Sequence, residues 1–489
     1  MVDISRITEA VAELLRYNPA SPMIFSSGIF LFLFAGFTLF YSFMRRTPVL
    51  RMVYVSLFSI YFYYKTGGLY FFLLILVSVT DFVIGRLLAA TEAKPYRRGL
   101  VALSVLINLG MLAYFKYTNL FIQIANDLAG HDVLAFRNIF LPVGISFFVF
   151  QSMSYTIDIY RRQLTPLTCW LDYFFYLSFF PQLVAGPIVR ARDFIPQIRQ
   201  NPLRVTREMF GRGLFLIMTG LVKKAVISDY ISVNFVDRVF DNPMLYSGFE
   251  NLMGVYGYAL QIYCDFSGYS DMAIGLGRMI GFEFKENFNY PYISRSVTEF
   301  WRRWHMSLGT WFRDYVYIPL GGNRCGRARQ LLNILIVWAL TGIWHGANWT
   351  FLLWGLYYAV FLMIEKVFLL KRLEKLPVLG HIYTIIIVMF GWVMFQLDSL
   401  AAIGNYTSAM LGFGASGLAE STDLYYLGSY AVTFVIAIVA STPLGSRLFA
   451  KLPGKVRRFA APALIVLALV LCTAYLVDAT YNPFIYFNF

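Results

Sequence analysis

Four histidines occur in the 489 residues, and two of them stand in tryptophan-rich surroundings, Trp304-His305 and Trp344-His345. His345 lies between two uncharged runs, Leu331 to Trp344 and Ala347 to Ile364. An ionisable ring at such a place is costly in lipid and is by default a functional group. Imidazole titrates near neutrality, which suits a general base that takes a proton from a hydroxyl. The competing reading is a histidine hydrogen-bonded to a neighbouring helix. His305 belongs to Phe300-Trp301-Arg302-Arg303-Trp304-His305-Met306-Ser307, which could equally be an interfacial anchor, because Trp and Arg favour that boundary. His131 and His381 read as a loop residue and a helix-end residue.

Acids in apolar surroundings come next. Asp265 and Asp271 fall in Tyr263-Cys264-Asp265-Phe266-Ser267-Gly268-Tyr269-Ser270-Asp271, where they could orient a histidine or pair with Arg278. Burial of a charge favours pairing. Asp81 reads as a helix-packing partner. No third His, Cys or carboxylate stands at ligand spacing beside His305 or His345, so no metal is expected. Cys169, Cys264, Cys325 and Cys472 follow no CxxC pattern. The glycines of Gly275 to Gly281 lack the strand and spacing of a nucleotide cradle, and no serine sits in a G-x-S-x-G elbow.

The elements that must position these residues are membrane helices. The chain is 58% hydrophobic, 18% aromatic and 14% charged, against about 25% charged in soluble domains. Uncharged runs such as Ile24 to Met44, Ala347 to Ile364, Leu424 to Leu444 and Phe459 to Val477 suit a hydrocarbon core ~30 Å thick. Asp3, Glu9 and Glu13 precede the first run, so a cleavable signal is not expected. Ile4, Ile7, Val11, Leu14 and Leu15 recur at helical spacing, which predicts an interfacial amphipathic helix within residues 1–20. The net charge of +14 sits between apolar runs, which points to anionic lipid and cytoplasmic loops and away from nucleic acid.

The charge alternation puts Arg45-Arg46, the Lys94, Arg97, Arg98 group and Arg161-Arg162 inside, with the Lys65 to Gly68 turn and Asn119 to Arg137 outside. Tyr173 to Val189 breaks the alternation, because Arg190, Arg192, Arg199, Arg204, Arg207 and Arg212 follow it. Pro181 and Gly186-Pro187 would interrupt a helix there, so a re-entrant segment beside a buried cavity is expected. Leu203 to Asn323 reads as short tilted or half-membrane helices. Spans resume after Leu331, separated by basic loops at Lys366, Lys371, Arg372, Lys375 and at Lys451, Lys455, Arg457, Arg458. A helix entering near Leu331 puts His345 roughly 21 Å deep, about two thirds of the way across. No repeat or soluble domain is visible, and residues 1–489 read as one membrane domain. A transporter would predict two similar halves with paired broken helices, which the sequence lacks.

Phe300 to Gly322 (FWRRWHMSLGTWFRDYVYIPLGG) and Leu340 to Trp349 (LTGIWHGANW) resemble the membrane-bound O-acyltransferase family. The likeness extends to Val184-Ala185-Gly186-Pro187-Ile188, to Cys264 through Asp271, to Asn287-Phe288-Asn289-Tyr290-Pro291-Tyr292 and to Asn482-Pro483-Phe484-Ile485-Tyr486-Phe487. It is greatest to bacterial members serving alginate O-acetylation, with those of teichoic acid D-alanylation more distant. The resemblance implies an all-α integral membrane fold of about eleven transmembrane helices, with tilted, re-entrant and interfacial helices around a central tunnel. It implies that His345 is the catalytic histidine and His305 a second polar position beside the tunnel. Asp265, Ser267, Trp304, Trp344 and Asn348 are then candidates for substrate and tunnel contacts. A covalent acyl-histidine and a general-base role both remain open.

The implied activity is transfer of an acyl group, expected to be acetyl, from a cytoplasmic thioester for O-acetylation of an extracytoplasmic polysaccharide. The donor would be acetyl-CoA or an acyl carrier protein thioester, with no bound cofactor. Implied partners are membrane lipids, an extracytoplasmic SGNH-hydrolase-like acetyltransferase and an acyl carrier protein docking near Arg302 to Arg329. The location would be a bacterial inner membrane, crossed many times. D-alanyl or lipid acyl transfer and a non-catalytic transport or scaffold subunit are the alternatives.

Overall fold

A computed structural model describes residue 9, residues 12–44, 47–198, 205–414 and 416–478, and Phe484. Most of the amphipathic helix expected at Ile4 to Tyr17 lies outside these residues, as do Arg45-Arg46, Arg199, Arg204 and the closing motif apart from Phe484. Residues 12–15 do form an exposed helical turn.

In hydrocarbon every backbone N–H and C=O must find a partner within the protein, and a helix supplies them all. The described residues are accordingly helical and contain no strand. Six helices are long and apolar enough to cross a membrane, and Gly28–Met44 is a shorter apolar one. The protein is a multi-pass membrane protein. The longest stretch, Pro48–Ala90, has 43 residues, about 65 Å at ~1.5 Å per residue and twice a bilayer core. It breaks where Gly68 adopts φ 64°, leaving Pro48–Gly67 and Phe71–Ala90 on either side of the expected turn.

Two compact units are distinguished. The first comprises the described residues of Met1–Gly213 and Ala273–Phe284 with Phe484. Here the expected interruption of Tyr173 to Val189 is present as Trp170–Ser178 and Phe180–Leu183, and residues 172–191 are all buried. Side chains satisfy the freed backbone: Phe180 N–H donates to Ser59 Oγ at 3.1 Å, Gln182 Nε2 to the Tyr176 carbonyl at 2.6 Å, and Tyr176 O–H to the Val189 carbonyl at 2.9 Å. Asp81 is a packing partner here, accepting from Ser104 Oγ and Asn108 Nδ2, both at 2.7 Å, and from Ser152 Oγ.

The second unit comprises the described residues of Leu214–Met272 and Lys285–Ala479. The expectation of only short helices between Leu203 and Asn323 fails, because Gly248–Met279 is one helix of 32 residues. Its charges are what hid it from a hydropathy reading. Asp265 and Asp271 do not need water, since Lys224 Nζ lies 2.9 Å from Asp265 and Lys223 Nζ 2.7 Å from Asp271. These lysines, and not Arg278, are the partners.

Arg327–His345 and Trp349–Ile364 form a tight helical hairpin. A Cβ at Gly342 or Gly355 would collide with the carbonyl of Phe351 or Trp338, so glycine permits backbone-to-backbone packing. Arg327 Nη2 donates to the Val367 carbonyl at 2.6 Å, closing the open end. His345 is therefore the last residue of its helix, at the tip, and not a mid-span residue of a continuing apolar run. Asn348 ends the turn by accepting from Thr350 N–H at 3.1 Å, a side-chain cap for the second helix.

Candidate active site

His305 occupies a corner between Val297–Arg303 and Met306–Phe312. Its backbone is left-handed, φ 44° and ψ 54°, a conformation that costs a non-glycine residue about 1–3 kcal/mol and persists only when its surroundings hold it. The surroundings here are the Asn287 to Ile293 loop. Met306 N–H donates to the Asn287 carbonyl and Asn289 N–H to the Arg303 carbonyl, each at 2.9 Å. The Asn287 side-chain oxygen accepts from Ser307 N–H at 3.1 Å and Ser307 Oγ at 2.9 Å, and faces His305 Nδ1 at 3.1 Å.

Aromatic rings fix both imidazoles. The Phe266 ring meets His305 edge-on with centroids 4.7 Å apart, and Phe288 stacks at 6.5 Å. Around His345 stand Trp344, Trp354 and Phe395, with centroids at 4.9, 5.0 and 5.3 Å. Trp304 packs on Trp392 at 4.8 Å, and Trp392 Nε1 donates to Tyr292 Oη at 3.1 Å. His305 is 2% exposed and His345 5%. Such packing holds the rings in fixed orientations, as preorganised chemistry requires.

Both histidines line one cavity of about 350 Å³. Ile334, Val337, Trp338, Thr341 and His345 form its wall on one helix, positions that share a face at helical spacing. Eleven helical steps from Ile334 to His345 make that wall about 16 Å long. Lys366, on the hairpin's second strand of helix near the Arg327–Val367 closure, lines the cavity at the end remote from His345. Arg302, Arg313, Tyr317 and Asn323 also line it. The cavity thus has an apolar wall, cations, and two imidazoles. It can accept a slender chain with an anionic end and place its other end beside a base.

Of the residues singled out in the sequence, His305, His345 and Trp304 line the cavity, and Trp344 packs between the imidazoles, 6.2 Å from His305. Asp265 is engaged in its ion pair, Ser267 is buried within the Gly248–Met279 helix, and Asn348 caps a helix while donating to the Asp398 carbonyl at 2.7 Å. None of these three lines the cavity. Sequence reasoning missed Asn287 and Glu365. Asn287 carried a signal, as the first residue of the quoted Asn287 to Tyr292 motif. Glu365, an acid at the end of an apolar run, was overshadowed by the lysines after it.

Comparison with known proteins identifies similar chains. A family model described as the membrane-bound O-acyltransferase family matches residues 160–406, which include both histidines and the whole cavity lining. The chain is 38% identical to a probable alginate O-acetylase of Azotobacter vinelandii, over 87% of this chain and 86% of the relative. It is 31% identical to a peptidoglycan O-acetyltransferase of Helicobacter pylori, over 81% of each. A teichoic acid D-alanyltransferase of Bacillus subtilis is 30% identical over 54% of this chain and 70% of the relative.

Proposed function

The chain belongs to the membrane-bound O-acyltransferase family and is an acyltransferase, and from that premise we propose that it carries an acetyl group from a cytoplasmic thioester toward hydroxyls of an extracytoplasmic polysaccharide. The observation that carries this reading is the shared cavity, with His345 at the hairpin tip, His305 near it across Trp344, and Lys366 at the other end. Thioester donors built on coenzyme A or on a carrier protein present a phosphate and then a slim arm. Arg302, Arg313 and Lys366 suit the phosphate and the apolar helix wall suits the arm.

In the transfer, the acceptor oxygen bonds to the acyl carbon while the carbon–sulfur bond breaks. The hydroxyl proton passes to an imidazole and from it to the departing thiolate, with His345 as the base and His305 assisting placement. Acetyl is favoured over D-alanyl because both O-acetyl relatives match over four fifths of the chain or more and the D-alanyl relative over about half. An extracytoplasmic acetyltransferase would complete delivery to the polymer, and the enzyme would reside in a bacterial cytoplasmic membrane.

The test is the acetyl content of surface polysaccharide in cells carrying wild type, His345→Ala or His305→Ala, with membrane levels of each protein measured alongside. Loss of the ester with normal protein levels supports the reading. Undiminished acetylation in His345→Ala refutes it.

A further inference from the structure

We propose that Asn287 sets the tautomer of His305, putting the ring proton on Nδ1 and leaving the lone pair on Nε2. The inference deepens the acyl-transfer reading of this cavity and rests on it for its chemical meaning, though not for its test.

A backbone N–H can only donate. The backbone N–H of Ser307 points at the Asn287 side chain at 3.1 Å. An amide nitrogen there would set donor against donor, so the atom must be the carbonyl oxygen. The other end of the amide is then Nδ2, which donates to Ser270 Oγ at 3.2 Å. With Oδ1 fixed, the Nδ1 atom of His305, 3.1 Å away, faces an acceptor and must carry hydrogen. In the neutral ring only one nitrogen is protonated, so the lone pair belongs to Nε2. Ser307 Oγ, 2.9 Å from Oδ1 and 3.5 Å from Nδ1, strengthens the same polarity by donating to the amide oxygen.

Asn287 is well placed to enforce this. It is 1% exposed, and its own carbonyl accepts Met306 N–H while its side chain accepts Ser307 N–H, so the residue holds the ring and the two residues that follow it. The ring it orients lines the cavity. Asn287 is thus a positioning residue that acts through His305.

The experiment is nitrogen NMR of ¹⁵N-histidine-labelled protein in lipid bilayers at about pH 8.5, where an ordinary imidazole is neutral. His305→Gln identifies the His305 signals by their loss. The expected wild-type result is a protonated Nδ1 and a bare Nε2. Asn287→Leu, which removes the acceptor, should shift the population toward protonated Nε2 and lower polysaccharide acetylation by at least about tenfold, a wrong-tautomer loss that reaches ~10⁴-fold in other enzymes. Asn287→Asp, which keeps an oxygen facing Nδ1, should keep the wild-type tautomer. A wild-type His305 protonated at Nε2 overturns the proposal without reference to any variant, and so does an Asn287→Leu protein with an unchanged tautomer. If His345→Ala keeps acetylation while wild-type His305 shows protonated Nδ1, it is the transfer reading that fails and the tautomer assignment that survives.

Discussion

The carboxylate of Glu365 accepts the backbone N–H of Val297 at 2.7 Å, across 68 residues of chain, and that of Thr298 at 2.8 Å. These are the first donors of the Val297–Arg303 helix, which have no partner within it. Ser296 Oγ takes the next one, Glu299 N–H, at 3.0 Å. Glu365 therefore locks the helix bearing Trp301 and Arg302 to the end of the hairpin that brings Lys366 to the same cavity. Glu365→Ala leaves two N–H groups to find other partners, at about 1–3 kcal/mol each where they stay buried. The expected result is a clearly lower thermal midpoint in nanodiscs and reduced transfer, with Glu365→Gln milder because one acceptor oxygen remains. An unchanged midpoint for the alanine variant would show that this tether contributes nothing.

The lysines beside the long helix make a second prediction. Lys224 Nζ bridges Asp229 at 2.7 Å and Asp265 at 2.9 Å, with the Lys224 and Asp265 side chains each 3% exposed. Breaking a buried pair by removing one partner costs about 3–5 kcal/mol. Asp265→Ala should lower the yield of folded protein while acetyl transfer per folded molecule stays near wild type. Lys224→Met should be worse, because it strands two carboxylates. A folded Asp265→Ala protein with abolished transfer would instead return Asp265 to the chemistry.

These contacts mark what the sequence could tell. The membrane class and the two tryptophan-flanked histidines were legible because hydropathy and residue type are local properties. The break around Pro181 was legible for the same reason. The 32-residue helix from Gly248 was not, since its acids became compatible with burial only through Lys223 and Lys224. The tip position of His345 had a signal in Gly346 and the capping Asn348, but an unbroken apolar composition on both sides outweighed it. The pairing of His305 with Asn287 depends on a loop and a left-handed corner that no periodicity reports.

Asp81 tests the first unit. It is fully buried and joins three helices through Ser104, Asn108 and Ser152, and Ser152 Oγ lies 2.7 Å from Tyr173 Oη. Asp81→Leu removes the shared acceptor and leaves those donors to compete for what remains, an expected loss of about 1–3 kcal/mol per unmatched group. Asp81→Asn keeps one acceptor oxygen and should lose less. Thermal unfolding of both variants checks the order, and a leucine variant as stable as the asparagine variant would contradict it.

Gly309 offers the most direct test of the cavity. It lines the space beside His305, and a Cβ placed on it would meet nothing nearer than the Trp301 carbonyl at 3.9 Å. Gly309→Ala should therefore fold at least as well as wild type, since alanine favours helix by about 1 kcal/mol over glycine, and should keep its transfer activity. Gly309→Trp would fill much of the volume that an acyl-bearing arm needs. Its expected phenotype is protein at normal membrane levels with polysaccharide acetylation reduced by at least about tenfold, which corresponds to ~1.4 kcal/mol in the barrier. Normal acetylation in Gly309→Trp would mean that the acyl group travels by a route other than this cavity.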